Sequence, residues 1–508
     1  MSTEFTVIVK ATSIQIQPGS EAAIMLQSLL DCFTYEDEYV EETKTLGFLL
    51  DNEQDILYLH KGVDLNQLKR LLVNAKFINF PYDPYKPMNF EYEEIIPPRN
   101  DEQIDVINFI AGLNEHASNA KDSQIFLVKK PGFGKTFCSG VGLCKYGVKT
   151  LIIMHRDSLR QQWIHSLFKM NGFTSREVHE IRDSNELYQI AHNQHDFDYD
   201  VYLMTHATFR AGIKRIGSFK DASSITKNLG IGMKIIDEAH LEFRDTLIMD
   251  FLFNVKRNLY LTATDGRSSR SENSIFRHVF ANTTFYKPST FLTTNHPRKW
   301  VEYTTVEINT HVKPAIYKYK VSGGRGMSSA TYGKWVIQND KQQTHFKVIR
   351  DLIKIIYERD SQAKVLVFLP LIELCTECAY YLNKQLNYDE SFEYELNIKT
   401  INSKNSKQEN ESNKHADVIV TTIASCGTGT DIPGVTGMIV CSPIVSRVNC
   451  IQIFGRMRFC GKTCYYYDVY DASVPMDRFW LKARIKTFKQ LALNTKELYW
   501  TDDETPSE

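Results

Sequence analysis

The sequence contains 508 residues, of which 43% are hydrophobic and 12% aromatic, and its formal net charge is −1. A chain of this length is too long for one hydrophobic core, so we expect two to four domains. The near-neutral charge excludes a binder coated with positive charge along its whole length, although it leaves room for a local basic cleft.

The N-terminal stretch "MSTEFTVIVK" has no basic region followed by an apolar run, so we expect no secretory signal. No stretch reaches the roughly 18 apolar residues that cross a bilayer, so no membrane association is expected. Ten scattered cysteines indicate reduced thiols and a cytoplasmic location. Cys375 and Cys378 lie in a helical apolar pattern without further close ligands, which favours buried structural thiols over a zinc site.

The first 80 residues alternate strand-like runs such as "FTVIVKA" and "DILYLH" with helical ones such as "LNQLKRLLVNA". This pattern predicts a small α+β accessory domain over residues 1–80. The following stretch, "PYDPYKPMNFEYEEIIPP", is rich in proline, which interrupts helices and sheets. We therefore interpret residues 81–98 as a linker.

Two series of short apolar runs alternate with helical segments in the rest of the chain. The first series is "QIFLVKK", "TLIIMH", "VYLMT", "MKIIDE" and "NLYLTAT", and the second is "KVLVFLP", "LNIKTIN", "DVIVTT", "GMIVCSP" and "CYYYDVYD". Continuous Val/Ile/Leu runs between helices are typical of parallel sheets covered on both faces. We expect tandem α/β domains over residues 99–295 and 296–480, with a C-terminal helix and acidic tail over residues 481–508.

The stretch "PGFGKT" follows the first apolar run of the first series. Gly132 and Gly134 permit backbone angles that turn successive N–H groups towards phosphate oxygens. Lys135 has the reach to contact β and γ phosphates, and the Thr136 hydroxyl suits Mg²⁺. The usual opening glycine of such a loop is replaced by Lys129, so an ordinary glycine turn after a strand remains an alternative.

A second motif, which is acidic, lies at the end of the stretch "MKIIDEAH", directly after the fourth apolar run of the first series. An aspartate at the end of a buried parallel strand, here Asp237, is suited to bind Mg²⁺ through water. Glu238 beside it is a candidate general base for an attacking water, and His240 closes the tetrapeptide. The alternative is a pair of exposed carboxylates that merely end a strand.

Other polar residues stand at the ends of predicted strands or just before them. Gln103 has the two hydrogen-bonding groups needed for an adenine edge. Arg156 and Thr205 are candidate contacts to a nucleic-acid backbone. Thr262 and Thr264, in "YLTATDGR", supply hydroxyls that can couple the nucleotide state to a bound strand. Taken alone, each of these residues favours a structural role over a functional one.

The second series carries its own candidates. In "VIVTTIASCGTGTDIPGV", Thr422 is a candidate contact to a nucleic-acid backbone. Gly429 allows its own backbone to approach a ligand closely, and Asp431 is suited to contact a ribose hydroxyl or to orient an arginine. In "NCIQIFGRMRFCGK", Arg456 and Arg458 are candidate fingers that stabilise charge on a transferred phosphate. A basic helix end that contacts solvent or a phosphate backbone is the alternative for this arginine pair.

Taken together, these motifs resemble those of the superfamily 2 helicases and translocases. The series is Gln103, "PGFGKT", "HRDSLRQQW", "DEAH", "TAT", "VIVTTIASCGTGTDIPGV" and "QIFGRMR", in family order from about residue 95 to 470. The trailing "LRQQW" and the small preceding domain are most similar to the DNA-directed branch that includes phage UvsW-type branch-migration helicases and XPB/RecG-like motors. The resemblance implies two RecA-like domains that bind ATP and Mg²⁺ and hydrolyse ATP while acting on DNA.

The resemblance also implies roles for individual residues. Lys135 and Thr136 would bind phosphate and Mg²⁺, and Asp237 would hold Mg²⁺ through water. Glu238 would be the catalytic base. The second domain would contribute Arg456 as the arginine finger and Gln452 as a γ-phosphate sensor. His240, Thr262 and Thr264 are the candidate coupling residues.

Two departures from the family pattern stand out. The usual second arginine, three residues after the finger, is Phe459 here, and Arg458 lies one place early. Lys129 and Lys130 replace the small or apolar residues usual at the start of the phosphate loop. Two interpretations of the lysine pair stand. The pair adds positive charge beneath the phosphates or on the cleft wall, which would make Lys129→Ala raise the KM for ATP, or it is a solvated edge of the strand.

We therefore expect a DNA-stimulated ATPase and helicase that acts on branched or forked duplexes in recombination, replication or repair. An RNA helicase and a non-catalytic nucleic-acid scaffold with a degenerate motor are the alternatives. The subgroup resemblance and the Asn/Lys/Tyr-rich composition suggest a phage origin, which would place the protein in the host cytoplasm.

Overall fold

A computed structural model describes residues 4–37, 42–130, 132–263, 270–287, 300–311, 329–427, 432–444, 447–457, 461–489 and 492–501. These residues form two compact units, one within residues 4–287 and the other within residues 300–501. Among the described residues, no helix is long and apolar enough to cross a membrane.

The first unit begins with a mixed five-stranded sheet. In chain order its elements are β1 (Phe5–Val9), β2 (Ser13–Gln17), α1 (Gly19–Met25), α2 (Gln27–Leu30), β3 (Thr34–Asp37), β4 (Glu42–Thr45), β5 (Phe48–Asp51), β6 (Ile56–His60), α3 (Leu65–Leu71) and β7 (Ala75–Asn79). The sheet has the strand order β5-β6-β2-β1-β7, and β3 and β4 pair as a separate two-stranded sheet. Only the β1–β7 pair is parallel within this sheet.

The second sheet of this unit is wholly parallel. Its region contains α4 (Asp101–Ala111), β8 (Gln124–Val128), α5 (Lys135–Tyr146), β9 (Thr150–Met154), α6 (Asp157–Met170), β10 (Val178–Glu180), α7 (Ser184–Ala191), β11 (Val201–Thr205), α8 (His206–Ile216), α9 (Phe219–Ala222), α10 (Ile225–Asn228), β12 (Met233–Ile236), α11 (Phe243–Leu252), β13 (Arg257–Thr262), α12 (Arg270–Val279) and β14 (Thr284–Phe285). The strand order is β10-β11-β9-β12-β13-β8-β14. The strands β9, β11 and β13 are buried along their whole length, as expected for a sheet covered on both faces.

The second unit repeats this architecture. It contains β15 (Val301–Ile308), α13 (Ser329–Asn339), α14 (Thr344–Arg359), β16 (Lys364–Phe368), α15 (Ile372–Leu386), β17 (Ile398–Ile401), α16 (Lys407–Asn413), β18 (Val418–Thr421), β19 (Val435–Val440), α17 (Arg447–Phe454), β20 (Cys464–Asp471), α18 (Pro475–Phe488) and β21 (Asn494–Tyr499). Seven parallel strands follow the order β17-β18-β16-β19-β20-β15-β21. The predicted fold class, two parallel α/β domains of RecA-like type with a small N-terminal α+β region, is confirmed.

The C-terminal region differs from the prediction of a helix and a tail alone. After α18, strand β21 pairs in parallel with β15 and so extends the second sheet at its edge. Its exposed, polar sequence, "NTKELY", gives little apolar signal, because only one of its six residues is buried. In α15, Cys375 and Cys378 are both buried in the core of this unit. Burial raises the pKa of the Cys375 thiol to about 12 and that of Cys378 well above its usual value, as for structural thiols.

The segment predicted as a linker, residues 81–98, lies along the first unit as an extended strap. Its backbone N–H groups at Asn89 and Phe90 both donate to the Asp200 carboxylate, at 2.9 Å. The Phe90 ring stacks on Phe173 with centroids 4.0 Å apart. Earlier in the strap, the Lys86 N–H donates to the carbonyl of Gly230 at 2.9 Å. As expected for a proline-rich segment, residues 81–98 form no helix or strand. The segment is nevertheless fixed to the unit by its side chains and its backbone.

A buried charge network joins the N-terminal sheet to the parallel sheet. Asp250, on α11, accepts from Lys234 Nζ at 2.5 Å, and its other oxygen lies 3.2 Å from His60 Nε2. The Tyr260 hydroxyl donates to the same carboxylate. The side chains of Asp250, Lys234 and His60 are fully buried. Burial alone would raise the pKa of Asp250, but the Lys234 charge and the hydrogen bonds outweigh burial and hold that pKa below its usual value.

The hydrophobic core continues across the same junction. A single cluster of buried residues includes Leu57 and Leu59 of β6 together with Phe251 and Phe280 of the parallel-sheet region. The Ala11 N–H donates to the Asn254 side chain at 2.9 Å, which adds a buried backbone contact. The N-terminal sheet is therefore distinct in topology but shares its core with the first parallel sheet.

Replacement of Asp250 tests this junction. In Asp250→Asn the Lys234 ammonium is left buried without its counter-charge, and we expect a loss of roughly 3–5 kcal/mol in the free energy of unfolding. Denaturant unfolding of the purified chain measures this loss. As a matched control, Lys86 forms an exposed ion pair with Asp198, and Lys86→Gln is expected to cost less than about 1 kcal/mol. Equal losses in the two variants would contradict this interpretation of the network.

Candidate active site

The predicted site residues of the first unit collect at one edge of its parallel sheet. The strands β8, β9, β12 and β13 are neighbours and run in the same direction, so their carboxyl ends lie side by side. Ligands of open parallel α/β sheets bind at this edge. The structure brings Gln103, Gly132, Gly134, Lys135, Thr136, Asp237, Glu238, His240 and Thr262 to this edge, in or beside the segments that leave these strands.

The phosphate loop has the backbone that its glycines were predicted to allow. Gly132 and Gly134 have φ values of 80° and 98°, in the left-handed region that favours glycine. A Cβ atom on Gly134 would lie 2.7 Å from Gln103 Nε2, so a larger residue would also clash. Gly134 caps α5, which begins at Lys135 and directs its N-terminus into the loop. A helix N-terminus with free N–H groups favours anions such as phosphate.

The Lys135 side chain is held by the loop itself. Its Nζ donates to the carbonyl oxygen of Lys129 at 3.2 Å. This contact keeps the amine at the start of the loop, on the chain segment that the phosphate groups would approach. The arrangement fits a lysine that moves from a backbone carbonyl to a phosphate oxygen when nucleotide binds.

Gln103 braces the loop from α4. Its Nε2 donates to the Phe133 carbonyl at 2.7 Å, and its Oε1 accepts from the Arg99 backbone N–H at 2.8 Å. The Arg99 guanidinium also donates to the Phe133 carbonyl, at 2.8 Å. Both ends of the Gln103 amide are therefore used within the protein. An adenine contact would share these atoms and remains a prediction.

Asp237 is buried directly after β12 and is oriented by a tryptophan. Its Oδ2 accepts from Trp163 Nε1 at 2.9 Å, and its Oδ1 accepts from the Glu238 N–H at 3.0 Å. Burial raises the pKa of Asp237 to about 6, the neighbouring Glu238 charge adds to this effect, and the positive charge of Lys135 opposes it. A divalent cation at this carboxylate would stabilise its ionised form.

Glu238 has an unusual backbone and an unsatisfied oxygen. Its φ of 53° places a non-glycine residue in the left-handed region, which is a position of backbone strain. Its Oε2 is buried without a hydrogen-bond partner among the described residues, although His240 Nδ1 lies 3.4 Å away. A buried carboxylate oxygen of this kind is available to a water or ligand.

His240 connects the acidic motif to the neighbouring strand. Its Nδ1 lies 2.8 Å from the Thr262 hydroxyl at the end of β13, and both residues are buried. The Ala239 N–H donates to the Leu261 carbonyl at 3.0 Å, which fixes the same loop through its backbone. The predicted coupling residues His240 and Thr262 are thus in direct contact, while Thr264 lies outside the described residues.

The oxygen atoms of this site fit a hard divalent cation. Asp237 and Glu238 supply carboxylate oxygens and Thr136 a hydroxyl in the first turn of α5, and Mg²⁺ prefers such ligands. The unsatisfied Glu238 oxygen and the closely packed Gly134 are the structural signs of a prepared site. The residues therefore fit a nucleotide with a divalent metal.

Lys129 is not a solvated strand edge. Its side chain is 6% exposed, and its Nζ lies 2.5 Å from Glu102 Oε1. That interpretation of the lysine pair is wrong for Lys129, because α4 packs a carboxylate against the amine where the sequence suggested open solvent. The amine is therefore neutralised within the protein and does not stand free beneath the phosphates.

The residues predicted to contact nucleic acid have local roles in the structure. Arg156 stands directly before α6, where its backbone carbonyl accepts from the Leu159 N–H at 3.1 Å, and the Thr205 hydroxyl caps α8 by accepting from the Thr208 N–H at 3.1 Å. Thr205 is 7% exposed, so its hydroxyl is occupied mainly by the helix end. Nearby, Glu242 joins His155 and Arg210, with an oxygen of Glu242 3.0 Å from a nitrogen of each. Nucleic-acid contact by Arg156 and Thr205 remains a prediction.

The second unit carries the remaining candidates. Thr422 is buried, and its hydroxyl accepts from the Ser425 N–H at 3.1 Å at the start of a short π-helix, Ile423–Gly427. Arg456 is half-buried just after α17, where its N–H donates to the Ile453 carbonyl at 3.0 Å. Gln452 lies on α17, but its side chain is outside the description. Gly429, Asp431 and Arg458 also lie outside the described residues.

Two residues of the site were missed by sequence reasoning. Trp163 falls within the quoted "LRQQW", but its role depends on Asp237, which is 74 residues further along the chain. Arg99 lies two residues before the helix of Gln103, and only the fold shows that its guanidinium contacts the loop carbonyls of Gly132 and Phe133. In both cases the signal was present as a polar or aromatic side chain next to a motif.

The fold and site define a nucleoside-triphosphatase with two parallel-sheet domains, and comparisons with known proteins give the family. Residues 96–267 match the family described as "Type III restriction enzyme, res subunit", and residues 345–459 match "Helicase conserved C-terminal domain". The first match lies in the first unit and the second in the second unit. The chain belongs to the superfamily 2 helicases and is an ATP-hydrolysing nucleic-acid helicase.

Individual relatives are distant. "Putative helicase 161L" of Invertebrate iridescent virus 6 is 24% identical over 383 residues, which are 73% of this chain and 77% of that protein. The structure of S. cerevisiae Dbp5 bound to RNA and ADP BeF3 matches 80% of this chain and 94% of its own, at 12% identity and a TM-score of 0.51, which supports the fold. The crystal structure of T4 UvsW covers 98% of this chain and 100% of its own at 14% identity, but its TM-score of 0.34 is too low for any inference.

Removal of the Trp163 N–H tests the orientation of Asp237. In Trp163→Phe the ring volume is largely kept while the carboxylate loses its buried donor, so we expect a 10- to 100-fold (order-of-magnitude) loss in Mg²⁺-dependent ATPase activity. Titration of Mg²⁺ at fixed ATP measures the shift. Ser166→Ala on the same helix, where the hydroxyl contacts Met170, is the matched control. An unchanged Mg²⁺ dependence would count against this orienting role.

The buried His206 predicts a pH dependence of stability. Neither ring nitrogen has a hydrogen-bond partner in the described part of the chain, and burial lowers the pKa of His206 to about 4. Because the unfolded state binds this proton near pH 6.5 and the folded state does not, stability falls as pH drops from 6.5 towards 4. We expect a loss of about 2 kcal/mol between pH 7.5 and pH 5 from this residue alone.

Urea unfolding at the two pH values, compared between wild type and His206→Leu, isolates that contribution. The pH-dependent loss should be smaller in the variant by the stated amount, since leucine binds no proton. Parallel pH profiles in the two proteins would show that His206 is not protonated on unfolding in this range.

Proposed function

We propose that this helicase is directed to DNA and couples ATP hydrolysis to movement along branched or forked duplexes. The observation that carries the catalytic part is the collection of Lys135, Asp237 and Glu238 at one sheet edge, with Trp163 orienting the aspartate. The preference for DNA is supported by the match of residues 96–267 to a family described as a restriction-enzyme subunit.

In this proposal residues 99–295 bind ATP and residues 296–480 supply the second half of the motor, with residues 1–80 as an accessory region. Mg²⁺, when bound, would neutralise phosphate charge. Lys135 would leave the Lys129 carbonyl for a phosphate oxygen, and the Gly132 and Gly134 loop would present its N–H groups to the same phosphates. Each of these steps stabilises negative charge without any covalent contribution from the protein.

Glu238 is the proposed general base. Its buried, unsatisfied Oε2 can accept a hydrogen bond from the attacking water and then its proton. The contact between Glu238 and His240, and that between His240 and Thr262, would transmit the state of the site to β13. Arg456 is proposed as the finger that stabilises charge in the transition state, with Gln452 sensing the γ-phosphate.

The proposed interaction with DNA uses the phosphate backbone. Arg156, Thr205 and Thr422 are the candidate contacts, and such contacts carry little sequence information. Binding should therefore weaken steeply as salt rises, because counterions released from the backbone provide much of the free energy.

Turnover and unwinding assays test the proposal directly. ATPase activity is measured with single-stranded, forked, three-way and four-way DNA and with RNA of matched sequence, and unwinding of each duplex is followed in parallel. We expect the strongest stimulation with forked or branched DNA. Stronger stimulation by RNA would indicate an RNA helicase, and nucleotide binding without turnover would indicate a scaffold.

Two substitutions separate catalysis from binding in the same assays. Lys135→Ala removes the phosphate contact and Glu238→Gln removes the base, so we expect each to lower turnover by at least about 100-fold. Glu238→Gln should still bind nucleotide, since the phosphate loop is intact. Wild-type turnover in either variant would overturn the proposed mechanism.

A further inference from the structure

The side chain of Lys129 is clamped at the base of the phosphate loop. Its amine lies 2.5 Å from Glu102 Oε1, and the lysine side chain is 6% exposed while that of Glu102 is 23% exposed. An ion pair screened from water to this degree is held more strongly than a surface pair. Glu102 lies in the first turn of α4, next to Gln103, so the pair links the loop to that helix.

Two aromatic rings complete the clamp around the amine. The Lys129 Nζ lies 4.5 Å from the centroid of the Tyr286 ring and 5.0 Å from that of Phe133. A cation at this distance from an aromatic ring is attracted to it. Phe133 belongs to the loop, between Gly132 and Gly134, so the clamp joins the first residue of the loop to its tip.

The backbone of Lys129 is equally engaged. Its N–H donates to the carbonyl of Thr262 at 3.1 Å, and its own carbonyl accepts from Lys135 Nζ at 3.2 Å. Thr262 is the residue whose hydroxyl contacts His240. The Lys129 backbone thus contacts Thr262, at the end of β13, through its N–H and Lys135 through its carbonyl.

We propose that Lys129 is a positioning residue that fixes the phosphate loop and sets the position of the Lys135 amine before ATP binds. This inference rests on the proposed function, because it assigns Lys129 to the same ATP site. A glycine at this place, as is usual in such loops, would have none of the side-chain contacts. Here the ion pair and the rings hold the loop in place before nucleotide binds, so the loop needs less ordering on binding.

The proposal predicts a loss of nucleotide affinity with little loss of chemistry. Lys129→Met keeps the apolar stem but removes the charge, so both the ion pair and the ring contacts are lost. We expect the dissociation constant for N-methylanthraniloyl-ATP with Mg²⁺ to rise about 5- to 30-fold. The KM for ATP should rise in parallel, while kcat at saturating ATP should stay within about twofold.

Partner substitutions show whether the effect passes through the clamp. Lys129→Arg keeps the charge and should bind the analogue within about threefold of wild type. Combining Lys129→Met with Glu102→Gln should weaken binding less than the product of the two single effects, because both remove the same pair. Tyr286→Leu, which removes the ring, should weaken binding more than Tyr286→Phe, which keeps it.

The controls separate positioning from general damage. Lys145→Ala removes an exposed lysine from the last turn of α5 and should bind the analogue as wild type does. Thermal unfolding without nucleotide checks that Lys129→Met is folded. The inference is overturned if Lys129→Met and wild type bind equally, if Lys129→Arg loses as much affinity as Lys129→Met, or if kcat falls as much as affinity.

Failure of the proposed function gives a different result. If wild type neither binds the analogue nor hydrolyses ATP, or if Lys135→Ala behaves as wild type, the ATP site itself is misassigned and Lys129 with it. If wild type and Lys135→Ala differ as expected while Lys129→Met matches wild type, the ATP site stands and only the role of Lys129 is rejected.

Discussion

The parallel pairing of four central strands is the constraint on which the first unit depends. Thr262 is opposite Val128, Tyr260 is opposite Ile236, and Ile236 is in turn opposite Ile153. This register brings the ends of β8, β13, β12 and β9 to nearly the same level, so the segments that follow leave the sheet side by side. A shift of one residue in any pair would turn the next side chain to the opposite face. The site is therefore a product of backbone register before any side chain takes part.

Much of that sheet could be predicted from sequence, because its strands are continuous apolar runs. All five runs identified in the first series correspond to β8, β9, β11, β12 and β13, and all five in the second to β16 to β20. In the two parallel sheets, the strands that were not predicted are short or poor in apolar signal, except for β15, which has eight residues, six of them buried. β14 has two residues and β10 has three, while β21 is mostly exposed. Such strands are specified by the sheet edge that they join, which a local pattern does not show.

The candidate site likewise contains residues that the sequence predicts and residues that it does not. Lys135, Asp237 and Glu238 were predictable because each follows a strand within a short motif. The clamp of Lys129 was not, because Glu102 and Tyr286 come from distant elements and appear in the sequence as ordinary polar and aromatic residues. The sequence interpretation treated Lys129 by its charge alone, whereas the fold supplies a counter-charge and two rings. Long-range packing of this kind decides whether a lysine is solvated, and local spacing carries no information about it.

The shared core between the two sheets of the first unit bears on how this protein could be divided. A relative that lacked the N-terminal sheet would lose the His60 contact to Asp250 and the Tyr58 and His60 rings that pack on Phe251 and Phe280. Loss of that cover favours aggregation unless those positions become polar. The N-terminal region is thus not an interchangeable module, since its loss would require compensating changes in α11 and near the end of α12. The two sheets of the first unit are not separable modules, because their apolar residues meet in one core.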